Sequence, residues 1–201
     1  MPKKTTKERW ALVARKTKET DIEVSMTLDG TGTQDISTGV PFLDHMLTLF
    51  ARHGRFDLRI QAQGDTQIDA HHTVEDVGIC MGKALLEALG DRGGIRRYGH
   101  VALPMEEALV LAAIDISGRE GFFSALGEMK PKVGEFDVEL VPEFFRAFTS
   151  NGEFTLHLRV LAGTNTHHVI EALFKACAVA LRNAVEVVDP SLKIPSTKGI
   201  L

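Results

Sequence analysis

The sequence predicts an α+β fold made of two similar halves, each a mostly antiparallel sheet with helices on one face. Three observations carry this. First, the pattern His-His-x-x-Glu occurs twice, at His71-His72…Glu75 and at His167-His168…Glu171. Second, the residues after it stay in step. HHTVEDVGICMGKALLEAL (71–89) lies on HHVIEALFKACAVALRNAV (167–185), with Ala84-Leu85 falling on Ala180-Leu181. Third, the match continues upstream with small changes of offset, as loop insertions in a duplicated chain would give.

Each element follows from its pattern. KETDIEVSMTLDG (18–30) and EEALVLAAIDISG (106–118) are alternating apolar segments ending in Asp-Gly and Ser-Gly, so each predicts a strand and a turn. FLDHMLTLFARHGRFDLRI (42–60) lies on LVPEFFRAFTSNGEFTLHL (140–158). Both open with an apolar helical stretch, turn at Gly54 or Gly152, and continue as a strand, Phe56–Ile60 or Phe154–Leu158. The two HHxxE segments open long apolar-periodic runs and predict amphipathic helices. The glycine-rich DRGGIRRYG (91–99) joins the halves. It is short, so residues 1–95 and 96–201 are expected to pack together as one compact domain.

Bulk properties narrow the function. The 201 residues are 44% hydrophobic and 25% charged, ordinary for a globular chain. MPKKTTKERW is polar and basic, unlike a signal peptide, and no apolar run reaches the roughly 18 residues of a membrane span. Cys80 and Cys177 both sit in apolar helical runs, which suits a reduced, cytoplasmic protein. The net charge of −4 argues against affinity built on phosphate neutralisation of nucleic acid. Lys3, Lys4, Lys7 and Arg9 read as a solvated tail.

Four of the eight histidines lie in the two HHxxE segments. Imidazole and carboxylate together suit Mn²⁺, Fe²⁺ or Zn²⁺, and the sequence does not choose among them. At about 100° per residue, each Glu falls between its two His on the helix circumference, within reach of either. Adjacent His side chains diverge, so one segment can serve two ions. His45 aligns with Glu143 in the other half, which makes both further candidate ligands. A carboxylate near a helix N-terminus also has a purely structural use, as Glu143 in VPEFF would. No Cys is among the candidates, so a structural thiolate zinc site is excluded.

GVPFLDHMLTLFARHG, DAHHTVEDVGI, PMEEAL, DISGR, GTNTHHVIEALFKA and PSTKGIL, in that order from about Arg15 to the end, together resemble the imidazoleglycerol-phosphate dehydratase family of histidine biosynthesis, in its monofunctional form. The resemblance implies a duplicated fold with ribosomal protein S5 domain 2-like halves. It implies a hydro-lyase that converts D-erythro-imidazole-glycerol phosphate to imidazole-acetol phosphate. It also implies two Mn²⁺ ions per site and a 24-subunit assembly with active sites at subunit interfaces. Carried over by position, one ion takes His45, His72, Glu75 and His167. The other takes His71, His168, Glu171 and residue 143, where several relatives have His and this chain has Glu143.

The same resemblance supplies roles for other residues. Glu19 is a substrate contact and the leading candidate base, with Glu171 or a metal-bound water as alternatives, and Glu106 is a candidate acid. Glu107, the repeat partner of Glu19, reads as a structural carboxylate. Arg97, Arg119, Ser196, Thr197 and Lys198 match phosphate- or substrate-binding positions, and His53 matches a substrate contact. Arg96 reads as a solvated neighbour. Two other classes compete: a dinuclear phosphatase, and a non-catalytic metal scaffold or RNA binder. Nothing in the sequence marks a carboxylate bridging two ions, and the acidic balance opposes RNA.

Overall fold

The structure, a computed structural model, describes residues 8–189 and Ser191. The first half contains β1 (Trp10–Lys16), β2 (Thr20–Thr27), β3 (Gln34–Ser37), α1 (Pro41–Gly54), β4 (Asp57–Gly64) and α2 (His71–Leu89). The second contains β5 (Tyr98–Met105), β6 (Ala108–Asp115), β7 (Gly121–Ala125), β8 (Lys132–Val133), β9 (Phe136–Asp137), α3 (Leu140–Gly152), β10 (Thr155–Ala162) and α4 (Thr166–Val185).

The duplication is explicit in the topology. One sheet runs β1-β2-β4-β3 and the other β5-β6-β10-β7. In each, only the last pair is parallel: β3 with β4, and β7 with β10. The second half adds the β8–β9 hairpin between its third strand and first helix, which accounts for the larger change of offset in the sequence alignment; the smaller one falls in the loop before α2 and α4. Sequence patterns found the central strands because their inward faces alternate. Ile22, Val24 and Met26 are buried on β2, and Val110, Ala112 and Ile114 on β6. The outer strands β1, β3, β5 and β7 were not legible as separate elements, because their exposed positions break the apolar pattern.

Helices lie against one face of each sheet and fill the space between the two sheets. α2 packs on β1 and β2, and α4 on β5 and β6. The halves interlock across this middle layer, since α1 packs on α4 and α3 packs on α2. A phenylalanine core, including Phe50, Phe56, Phe144, Phe148 and Phe174, is fully buried there. Each such ring contributes roughly 1.5–3 kcal/mol by leaving water. Two glycines let α2 and α3 approach. A Cβ on Gly78 would sit 2.8 Å from the Phe144 carbonyl, and one on Gly82 2.6 Å from the Phe148 carbonyl.

A half-buried ion pair ties sheet to helix. Asp76 on α2 accepts from Arg15 Nε at 2.8 Å and from Thr20 Oγ1 at 2.5 Å. Among the described residues no helix is long and apolar enough to cross a membrane.

Candidate metal centre and active site

Helix α2 starts on its first His and α4 one residue before its own, and the two starts are braced in the same way. Asp69 Oδ1 accepts the His71 amide at 2.8 Å, and Asn165 Oδ1 accepts the His167 amide at 3.0 Å. Asx side chains placed two residues before the first His satisfy an otherwise orphaned helical N–H. The first turn of each helix is thereby fixed, and the two His rings diverge, with interplanar angles of 88° and 83°.

On α4 the divergence sorts the ligands. His167 Nε2 lies 3.4 Å from Glu171 Oε2, one helical turn on, and His45 Nε2 on α1 lies 3.8 Å from the same oxygen. The three ligand atoms are all within 4.8 Å of one another. An ion with bonds of about 2.1 Å holds adjacent donors roughly 3.0–3.4 Å apart, so small side-chain rotations suffice. Two imidazoles and one carboxylate, with no thiol, fit a borderline or hard divalent ion. Burial pushes the Glu171 carboxyl up, but Lys175 outweighs it and, with His45 and His167, holds it below its usual range. Lys175 Nζ is 2.5 Å from Glu171 Oε1, leaving Oε2 for the histidines.

The partition that the resemblance implies sets Glu171 with His168 on one ion and His45 with His167 on the other; in the structure the candidate donor atoms lie together differently. Glu171 stands with His45 and His167, not with His168. Helical phase alone lets Glu171 meet either His167, four residues back, or His168, three residues back; what separates them is a second carboxylate. His168 Nδ1 instead lies 2.8 Å from Glu107 Oε2 and 3.8 Å from Glu106 Oε2. Glu107, read from sequence as merely structural, also accepts the Asn165 amide at 2.9 Å. Its bond to His168, followed by that amide, pulls its carboxyl down to about 2. His72 is treated alike, its Nδ1 lying 3.0 Å from Asp65 Oδ2. These carboxylates raise the basicity of both imidazoles.

The other predicted ligands lie on the second cross-half helix pair. His71, His72 and Glu75 are on the first turns of α2, and Glu143 is on the first turn of α3, which packs against it. Among the described residues these four do not form a cluster comparable to that around Glu171. Glu143 Oε1 is taken by Arg146 at 2.6 Å.

The candidate substrate contacts divide into two places. Glu19 is exposed at the start of β2, where its carboxylate accepts from Thr17 Oγ1 at 3.4 Å, and its charge reaches His72. Glu106 is exposed on the β5–β6 turn in a left-handed conformation, φ 50°. His53, at the end of α1, is made less basic by burial and then by Lys175. Arg97 and Arg119 converge on Asp115, the first residue of the DISGR motif, for which the sequence suggested no role. Arg97 Nε is 2.7 Å from Asp115 Oδ1, and Arg119 Nη2 is 3.7 Å from Oδ2. Arg96 pairs with Glu186 on the surface, as a solvated neighbour would. Ser196, Thr197 and Lys198 lie outside the described residues. A cleft lined by Lys130, Lys132, Thr164 and His167 opens beside the cluster, under the β8–β9 hairpin.

Comparison with known proteins gives this arrangement a family. Residues 38–181 match the family described as imidazoleglycerol-phosphate dehydratase. A protein of that name from Pelotomaculum thermopropionicum is 53% identical over 194 residues, covering 96% of this chain and 99% of the relative. Another, from Granulibacter bethesdensis, is 57% identical over 195 residues, covering 96% and 99%. The crystal structure of the Staphylococcus aureus imidazoleglycerol-phosphate dehydratase superposes with a TM-score of 0.81 at 42% identity, covering 89% of this chain and 99% of that one. The Pyrococcus furiosus structure gives a TM-score of 0.81 at 38% identity, covering 94% and 100%. The chain belongs to the imidazoleglycerol-phosphate dehydratase family, hydro-lyases of histidine biosynthesis.

Proposed function

We propose that this chain dehydrates D-erythro-imidazole-glycerol phosphate to imidazole-acetol phosphate, with two divalent ions per site, Mn²⁺ the preferred metal. The observation that carries the reading is the His45–His167–Glu171 cluster, beside a second HHxxE helix start with the same local design. A bound divalent ion would supply Lewis acidity toward imidazole nitrogens, favouring the deprotonated ring.

The protein's own residues do the rest. Arg97 and Arg119, gathered at Asp115, hold the substrate phosphate by charge-assisted hydrogen bonds. Electron density from the ring expels the C3 hydroxyl, which leaves as water with a proton from Glu106. Glu19 then takes the C2 proton, and the resulting enol tautomerises to the ketone. Glu171 is the weaker base candidate, because Lys175 and two histidines already engage both its oxygens.

The cluster offers three protein donors, so completing its shell calls for water, substrate or another subunit. We assign the remaining ligands to a neighbouring copy, in a 24-subunit, cytoplasmic assembly with sites at subunit interfaces. The test is a paired assay of imidazole-acetol phosphate formation and phosphate release, on chelator-stripped and Mn²⁺-reloaded protein. Dehydration that returns with Mn²⁺, and is lost in His45→Ala together with one ion per chain, supports the reading. Phosphate release, or dehydration indifferent to chelation, overturns it.

A further inference from the structure

We infer that Asp65 and Glu107 are positioning residues: each fixes the second histidine of one HHxxE segment in the tautomer that can bind a metal ion through Nε2. This rests on the metal reading proposed above.

An ionised carboxylate only accepts hydrogen bonds. His72 Nδ1 faces Asp65 at 3.0 and 3.2 Å, and His168 Nδ1 faces Glu107 at 2.8 Å. Nδ1 must therefore carry the proton on both rings, and the lone pair is left on Nε2. Carboxylate partners of this kind orient metal-binding imidazoles and strengthen them as ligands.

The two carboxylates do not come from equivalent positions, so the duplication alone does not explain them. β2 and β6 are both eight residues long, which makes Glu19 the counterpart of Glu107, each immediately before its strand. β4 and β10 are likewise eight residues long, which makes Asp65 the counterpart of Gly163. In the second half the hairpin turn supplies the carboxylate. In the first half the strand-to-helix loop supplies it instead. Each histidine ends with one carboxylate on Nδ1 although the source has changed. The exchange has a consequence for chemistry. Asp65 takes the orienting task in the first half, so Glu19 is released from it and keeps an exposed carboxylate. Its own main-chain carbonyl accepts the Asp65 amide at 3.1 Å, which ties the two together.

The test is Mn²⁺ titration of the chelator-stripped full-length protein, read by calorimetry and by the electron paramagnetic resonance of free Mn²⁺. Glu107→Gln is the sharper variant. Its Oε1 must stay an oxygen to accept the Asn165 amide, so the new NH₂ is presented to His168 Nδ1 and reverses the tautomer. Glu107→Gln and Asp65→Ala are each expected to weaken ion binding by about 10–100-fold. Asp65→Glu should recover part of the loss. The same variants are then made on His168→Ala and His72→Ala respectively. A residue acting through its histidine gives no further loss there, whereas a residue that merely braces the loop gives the same loss again. Equal losses in the two backgrounds, or affinities within twofold of wild type, overturn the inference. If the wild-type chain itself binds no Mn²⁺, the proposed metal function fails instead, so the two failures are separable.

Discussion

Replacing Gly82 by Ala tests whether the close approach of α2 and α3 is required by the fold. A methyl at this position would lie 2.6 Å from the Phe148 carbonyl oxygen, 2.8 Å from Asn151 Cβ and 2.8 Å from the Gly152 amide. Ordinary contact begins near 3.4 Å, so α3 must withdraw by 3.4 − 2.6 = 0.8 Å or distort. Two of the three neighbours are backbone, and no side-chain rotation relieves them. Overpacking of this kind costs about 1–3 kcal/mol. A withdrawal of that size also forfeits roughly a quarter to a half of each dispersion contact across the helix pair. Against this, Ala gains about 1 kcal/mol over Gly in helix propensity. The balance is a net loss of about 1–2 kcal/mol, which lowers Tm by about 2–8 °C in a chain of this size. Differential scanning calorimetry of the metal-free protein reads it. A Tm raised by Gly82→Ala would mean that propensity wins and the helices are not in tight contact, refuting the packing argument.

Three further outcomes follow from local geometry. Burial pushes the Asp57 carboxyl up, but amides of Thr31, Thr33 and Gly32 and the Thr31 hydroxyl outweigh it and hold it below its usual 3.8. Asp57→Asn should therefore cost about 1–2 kcal/mol at pH 7 in urea titrations. A depressed folded-state value means this stability is present above the unfolded value and lost as pH falls through the folded one, so variant and wild type should converge as pH drops below the usual 3.8. Arg119→Ala should raise KM for the phosphorylated substrate by about 10–100-fold while changing Tm by under a degree or two, since its ion pair with Asp115 is long and mostly exposed; an unchanged KM would remove Arg119 from the phosphate site. Burial raises the Cys80 thiol to about 11 and pushes Cys177 up further, so neither should react with a disulfide reagent in the native protein, and both should react in denaturant.

The sequence made some features legible for identifiable reasons. Helices α2 and α4 were placed almost to the residue because HHxxE and a long apolar period coincide. The central strands were legible through alternation. Edge strand β3 was not, since its four residues present little apolar face. The short hairpin β8–β9 left only a shift in the repeat offset. At the site, His45, His167 and Glu171 were all named as candidate ligands from the sequence, and the structure brings these three together. A helical wheel places Glu171 between His167 and His168, and only the capped start of α4 together with Glu107 decides that His168 turns away. Asp65 gave no signal, because a lone aspartate in a loop has the same pattern whether it solvates the surface or holds a histidine; Asp115 opens the DISGR motif, but its place between Arg97 and Arg119 was not legible.

The interlocking of the halves explains why the duplication had to remain one chain's work. His45 belongs to the first half and His167 with Glu171 to the second, yet they meet at one point, because α1 packs on α4 and not on its own neighbour α2. The same exchange sets α3, with Glu143, against α2, with His71, His72 and Glu75. Neither half alone could assemble the cluster, and neither could cover its own helices, since separation would expose both the Phe50 and the Phe144–Phe148 faces at once. Burial of the core and convergence of the candidate ligands are thus met by the same two helix pairs. A change that loosens the core at Gly82 should therefore disturb the ligands of α2 and α3 before those of α1 and α4. If two ions bind as proposed, metal titrations of Gly82→Ala should show one weakened and the other, assigned to His45, His167 and Glu171, nearly unchanged. Equal weakening of both would mean that the core transmits strain across all four helices, and that the two helix pairs are not independent supports.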